Sequence, residues 1–174
     1  MIARQGSVKA IQGQARSLNL DLFDQWQEME LQQGKWRYTS PTHAVCAFAE
    51  PLVELEDEGG VEARHGRYCE NQQRLVAGME QRGFRTLLPA ALQSPVITAF
   101  YDPCPGFDFP AFYDLLKQRR FVVYPGRVSQ AQTFRIGTIG HVFPDDIDEL
   151  LNCISEVLKQ MDIDPFQADG GDVP

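Results

Sequence analysis

Between Phe121 and Gly140 the chain reads FVVYPGRVSQAQTFRIGTIG, and this stretch constrains the fold more than any other. Phe121, Val122, Val123 and Tyr124 form an apolar, β-branched and aromatic run that Pro125-Gly126 breaks, a pattern that predicts a buried strand ending in a turn. Thr133-Phe134-Arg135-Ile136 resumes the strand pattern, and Gly137 with Gly140 closes it. Arg135 is therefore expected in the middle of an apolar strand. A guanidinium is costly to bury alone, so it should face either an internal carboxylate or a cleft where an anionic ligand supplies the charge. A surface arginine is the plainer alternative, since single basic residues on strands are common.

The rest of the chain alternates helix and strand signals. Met1 to Gln14 shows no complete element. Asp21 is placed to cap a helix carrying Leu22, Phe23, Trp26 and Met29 at helical spacing, with Gly34 ending it. Phe23, Trp26 and Met29 read as packing residues, expected to leave apolar surface open to a partner. Lys35 to Ser40 is a loop, after which Ser40 as N-cap and Pro41 at the first position should open a helix through Val45, Phe48, Ala49 and Leu52 to Leu55. Free N–H groups at that helix start, beside Lys35 and Arg37, make an anion site or a simple cap. A third helix, Val61 to Gln81, carries charges that read as a solvated face, with His65 a surface residue on it. Phe84 to Leu88 and Val96 to Tyr101 read as strands, Pro110 to Arg119 as a helix, and Pro144 opens a last helix through Ile147, Leu150, Leu151, Ile154 and Leu158. The expected fold class is α/β, a small mixed or antiparallel sheet covered by helices.

The 174 residues suit one domain with a sizeable core, and 43% hydrophobic against 23% charged residues is an ordinary globular balance. A formal net charge of −8 argues against nucleic acid, which needs clustered lysine and arginine. Cys46, Cys69, Cys104 and Cys153 are scattered without a CxxC pair, so no metal site or disulfide scaffold is expected. Cys104, in the loop Asp102 to Gly106, has no histidine beside it to make it a nucleophile. No signal-peptide core or membrane-length apolar run is present, and a cytoplasmic location is expected.

Three ordered segments, SLNLDLFDQWQEME, GKWRYTSPTH and FVVYPGRVSQAQTFRIGTIGHV, together resemble the C-terminal half of 2-aminoethylphosphonate:pyruvate aminotransferase. That family is a class V member of the fold-type I pyridoxal-phosphate enzymes, and the likeness runs from about Ile2 to about Lys159. The resemblance implies the C-terminal small domain over residues 41–161 and a remnant of the large cofactor domain with an interface helix over 1–40; the tail over 162–174, acidic and rich in Gly and Pro, is expected to be disordered. It implies that Arg135, in the F-R-I-G strand, binds the anionic end of the substrate. It implies, too, that Thr39 reaches across a homodimer to the phosphate of the pyridoxal phosphate held mainly by the other subunit.

Pyridoxal-phosphate chemistry needs a lysine amine, an acidic partner for the pyridine nitrogen and a phosphate cradle. By resemblance these belong to an N-terminal half, with the lysine shortly before the strand matching Ile2-Ala3-Arg4. Lys9, Lys35, Lys117 and Lys159 do not match it, so no catalytic residue is assigned and the chain alone is expected to be inactive. The implied activity is transfer of an amino group from 2-aminoethylphosphonate to pyruvate, giving phosphonoacetaldehyde and alanine. Two alternatives stand beside it: a non-catalytic α/β module that dimerises or caps a partner, and a portion of a related alanine:glyoxylate aminotransferase.

Overall fold

The computed structural model describes residues 3–126, 131–164 and 166. The chain divides into two compact units, Met1–Glu54 and Leu55–Pro174. The predicted tail after Asp164, Phe166 apart, lies outside the described residues, as do Ile2 and the residues 127–130 of the Phe121–Gly140 stretch.

In the first unit a short helix, α1 (Gln5–Ala10), stands where no element was expected. Lys9 on α1 lies over the Trp26 ring at 5.4 Å, a contact that local periodicity does not reveal. Helix α2 (Leu22–Leu31) begins as predicted, with the Asp21 carboxylate accepting from the Asp24 N–H at 3.0 Å. Phe23 is buried and packs on Trp26 at a ring separation of 5.9 Å, so these two form the small core of this unit rather than an open patch. Exposed apolar side chains around α2 instead include Leu18, Leu20, Leu22 and Leu31. Helix α3 (Thr42–Asp57) starts one residue later than the sequence indicates. The Pro41 carbonyl takes its first bond, from Val45 N at 3.0 Å, so Pro41 and not Ser40 stands at the cap. None of its residues is buried, and Val45, Phe48 and Leu52 recur exposed at helical spacing.

Gly59 and Gly60, at φ 102° and 84°, make the left-handed turn into α4 (Gly60–Glu80), a conformation any side chain would resist. Past α4, β1 (Ile97–Tyr101), α5 (Phe109–Gln118), β2 (Tyr124–Pro125), β3 (Thr133–Gly137) and α6 (Pro144–Gln160) complete the second unit. The strands form an antiparallel sheet in the order β1-β3-β2, with Ala99 opposite Arg135 and Tyr124 opposite Arg135 on the other side. The α/β class and the helix-covered small sheet are as expected. Two strand expectations are corrected. Phe84 to Leu88 contributes a bridge, Thr86 to Phe100, and two backbone bonds to β1, because Pro89 and the turn after it stop the pairing. In the Phe121 run pairing starts at Tyr124, Val123 alone is buried, and Val122 is exposed.

One face of the sheet carries the core. Phe134 is fully buried with five phenylalanine rings around it, those of Phe84, Phe100, Phe107, Phe109 and Phe112, at 5.6 to 6.4 Å. Burying each such ring contributes about 1.5 to 3 kcal/mol, so this cluster anchors β3. Leu75 and Met79 of α4, Leu116 of α5 and Ile154 and Val157 of α6 close over it. The arginines of α4 are not simply a solvated face. Arg74 pairs with Asp148 of α6 at 2.7 Å, tying two helices together, and just past the end of α4 Arg82 donates to the Ser155 hydroxyl of α6 at 2.7 Å. At the start of α6 the Asp146 carboxylate accepts from Phe143 N at 2.8 Å, as an acidic first turn predicts.

Candidate functional site: the open face of the sheet

Because side chains alternate along a strand, the anchoring of Phe134 and Ile136 in the core forces Arg135 to the opposite face. Arg135 is exposed there, and no carboxylate pairs with it among the described residues, so the internal ion pair is not formed. Beside it on that face lie the uncharged residues Ala99 and Ile97 on β1, Gly137 on β3, and Tyr124 on β2. The Thr133 hydroxyl donates to the Gly126 carbonyl, and Gly126 N donates back to Thr133 O at 3.2 Å, which carries the chain past Pro125 alongside β3. What results is a planar five-donor cation on a rigid strand, open on the side away from the core. Such a group can grip a carboxylate or phosphonate through paired hydrogen bonds.

The loop leaving β3 is held by α4. Arg67 donates to the carbonyls of Gly140 at 2.9 Å and Val142 at 2.5 Å, and its guanidinium lies over the Phe143 ring at 4.7 Å. Asn71 adds a second bond to the Val142 carbonyl at 2.8 Å. Arg67 is fixed in turn by Glu58, whose carboxylate also takes Arg64, each at 2.6 Å. The hydrogen bonds from Arg67 and then Arg64 hold the Glu58 carboxyl down at about 2. From the sequence Glu58 reads only as part of a helix stop; the sole local signal is an acid beside a Gly-Gly turn with arginines on the next helix.

Thr39 lies exposed in the first unit, in the loop between α2 and α3. Arg37 organises that loop through an ion pair to Asp24 at 2.9 Å and a bond to the Leu18 carbonyl at 3.1 Å. Arg37 is thus committed within its own unit, and of the two cations expected beside the helix start only Lys35 remains exposed. Thr39 and Arg135 belong to different units. His65 is exposed as expected, yet it has a neighbour, the Cys69 sulfur at 3.5 Å, one turn along α4. Among the described residues no group of three or more His, Cys, Asp or Glu is placed to hold a metal ion, and no helix is long and apolar enough to cross a membrane.

The lysines do not fit covalent attachment of a pyridoxal cofactor. Lys9, Lys35, Lys117 and Lys159 are all exposed, and Lys9 and Lys117 lie over the rings of Trp26 and Tyr113 rather than in a cleft. An imine-forming lysine is held in a site shielded from water, and none of the four is so placed.

No family model matches the chain. Curated relatives do: it is 57% identical over 161 residues to the 2-aminoethylphosphonate--pyruvate transaminase of Syntrophobacter fumaroxidans, over 92% of this chain and 43% of that protein. The chain is similar to a C-terminal part of such transaminases. Proteins of the same description from Bacteroides fragilis, at 56% identity over 90% of this chain, and Vibrio vulnificus, at 55% over 91%, are also matched across 43% of their length. The chain thus spans less than half the length of the curated relatives it matches. Among solved structures, alanine--glyoxylate aminotransferase from Nostoc sp. superposes with a TM-score of 0.73 at 20% identity, over 89% of this chain and 42% of that one. Ureidoglycine-glyoxylate aminotransferase from Bacillus subtilis gives 0.69 at 23%, over 92% and 43%. At these identities the likeness is one of fold alone.

Proposed function

We propose that this chain supplies the substrate-anion and subunit-interface parts of a pyridoxal-phosphate aminotransferase that moves the amino group of 2-aminoethylphosphonate to pyruvate, in the cytoplasm. The observation that carries the reading is the 57% identity extending over 92% of the chain, which favours this donor over the alanine:glyoxylate alternative, where the likeness is 20% and of fold alone. Residues 1–40 are read as the remnant of a larger cofactor domain with an interface helix and 41–161 as the small domain. When bound, pyridoxal phosphate would supply the electron sink and the amino carrier, attached through a lysine outside this chain. What the chain's own residues contribute is binding. Arg135 holds the anionic end of the substrate, a phosphonate in one half-reaction and a carboxylate in the other, and the rigid strand beneath it sets the distance from that anion to the reacting amine. Thr39 meets the phosphate of the cofactor bound to the neighbouring subunit of a homodimer. Exposed Leu18, Leu20 and Leu31, with Val45, Phe48 and Leu52 on α3, offer the apolar surface that such association would cover.

The test is a chimera that joins this chain to the portion of the Syntrophobacter fumaroxidans transaminase it does not match. Alanine formation from 2-aminoethylphosphonate and pyruvate is expected. A folded, cofactor-loaded chimera that forms none would refute the proposal, and preference for alanine with glyoxylate would transfer it to the alternative substrate pair.

A further inference from the structure

Glycine at position 126 is not required by its backbone: its φ lies outside the left-handed region, unlike that of Gly59, Gly60 or Gly140. What it lacks is room. A β-carbon built on Gly126 would stand 2.6 Å from Cγ, 2.9 Å from Nε and 3.2 Å from Cδ of Arg135. These are the root and middle of that side chain and not its free end, so relief would require rotation at χ1, which swings the whole guanidinium. The stem of Arg135 lies across the Gly126 backbone, and that backbone is itself fixed by its two bonds with Thr133. Gly137, also on β3's open face, is the natural comparison, since a β-carbon there would meet nothing closer than the Val96 carbonyl at 3.8 Å.

We propose that Gly126 is a positioning residue for Arg135: the bare backbone is a bed that sets the direction of the guanidinium, and therefore how the anion of the substrate is held. The inference rests on the reading of Arg135 as the anion-binding residue. A small displacement of a binding group is enough to weaken a two-bond grip severely, because both N–H vectors must meet the anion together.

The test uses the full 174-residue chain, with methylphosphonate as the probe and the Arg135 Nε–Hε resonance as the readout. Gly126→Ala is expected to weaken the response at least about tenfold, while Gly137→Ala leaves it as in the parent chain. Equal binding by Gly126→Ala and the parent, with the response of the amide spectrum lost in Arg135→Ala, overturns the positioning role and spares the reading of Arg135. A parent chain that shows no response, or an Arg135→Ala chain whose amide spectrum responds as the parent's does, overturns both. Should Gly126→Ala lose its folded amide spectrum, the parent chain decides: a nuclear Overhauser contact between Gly126 Hα and Arg135 Hγ upholds the bed, and its absence refutes it.

Discussion

Gly78 of α4 faces Leu151 of α6 with no space for a side chain: a β-carbon there would overlap Leu151 Cδ1 and stand 2.8 Å from Cδ2. Leu151 is buried and cannot turn out to solvent. Overpacking a core costs about 1 to 3 kcal/mol, whereas alanine gains up to about 1 kcal/mol over glycine in a helix interior. Gly78→Ala should therefore be net destabilising. Gly66, on the same helix with nothing within 4 Å, should respond with the opposite sign, Gly66→Ala stabilising by up to about 1 kcal/mol. Urea midpoints of the two variants decide this, and shifts in the same direction would disprove the packing argument.

A pH dependence follows from Glu58. Its carboxyl is lowered from an ordinary 4.5 to about 2 by Arg67 and Arg64, so the folded state favours the ionised form. The stability this contributes is fully present above pH 4.5 and drains away as pH falls toward about 2. Glu58→Gln should flatten that part of the stability profile and lower stability at neutral pH, because Arg67 loses its carboxylate partner. Comparing urea midpoints of parent and variant between those pH values isolates the effect from the other acids; parallel profiles would exclude it.

How much of this was legible in the sequence depends on the range of the interaction. Strand β3 could be read because Phe134 and Ile136 flank Arg135 at strand spacing, and α6 because Ile147, Leu150, Leu151, Ile154 and Leu158 recur at helical spacing with acids at the start. The strand pattern singled out Arg135 but left its partner open; its role toward substrate, and that of Thr39, came from resemblance. The grip of Arg67 on Gly140 and Val142 was not legible, since its partners lie 73 and 75 residues away and are backbone carbonyls, which carry no sequence signature. Phe23 was misread as open surface because an apolar helical stripe does not say whether the covering residues come from the same chain. The failure of Phe84 to Leu88 as a full strand reflects competition from Pro89, too local for a propensity pattern to weigh.

The lysines give a negative prediction. Mixed with pyridoxal phosphate and reduced with borohydride, the chain should carry no stoichiometric label at a single lysine, because all four are exposed and none is desolvated. Peptide mapping after reduction checks this. One lysine labelled to completion ahead of the others would contradict it.

Arg135 gives the sharpest prediction, tested in the chimera that carries a cofactor domain. Charge-assisted hydrogen bonds contribute on the order of 1.5 to 3 kcal/mol each, and every 1.4 kcal/mol is about tenfold in affinity. Arg135→Ala should therefore lower kcat/KM at least about tenfold for both 2-aminoethylphosphonate and pyruvate, since each presents an anion. Arg135→Lys keeps the charge and loses the fork, so it should recover only part of that loss. Because Arg135 is exposed and has no ion-pair partner among the described residues, neither variant should change thermal stability much. Kinetics for donor and acceptor, measured beside melting temperature, separate the roles: unchanged kinetics with a large fall in melting temperature would make Arg135 structural and remove the anion site from this face of the sheet.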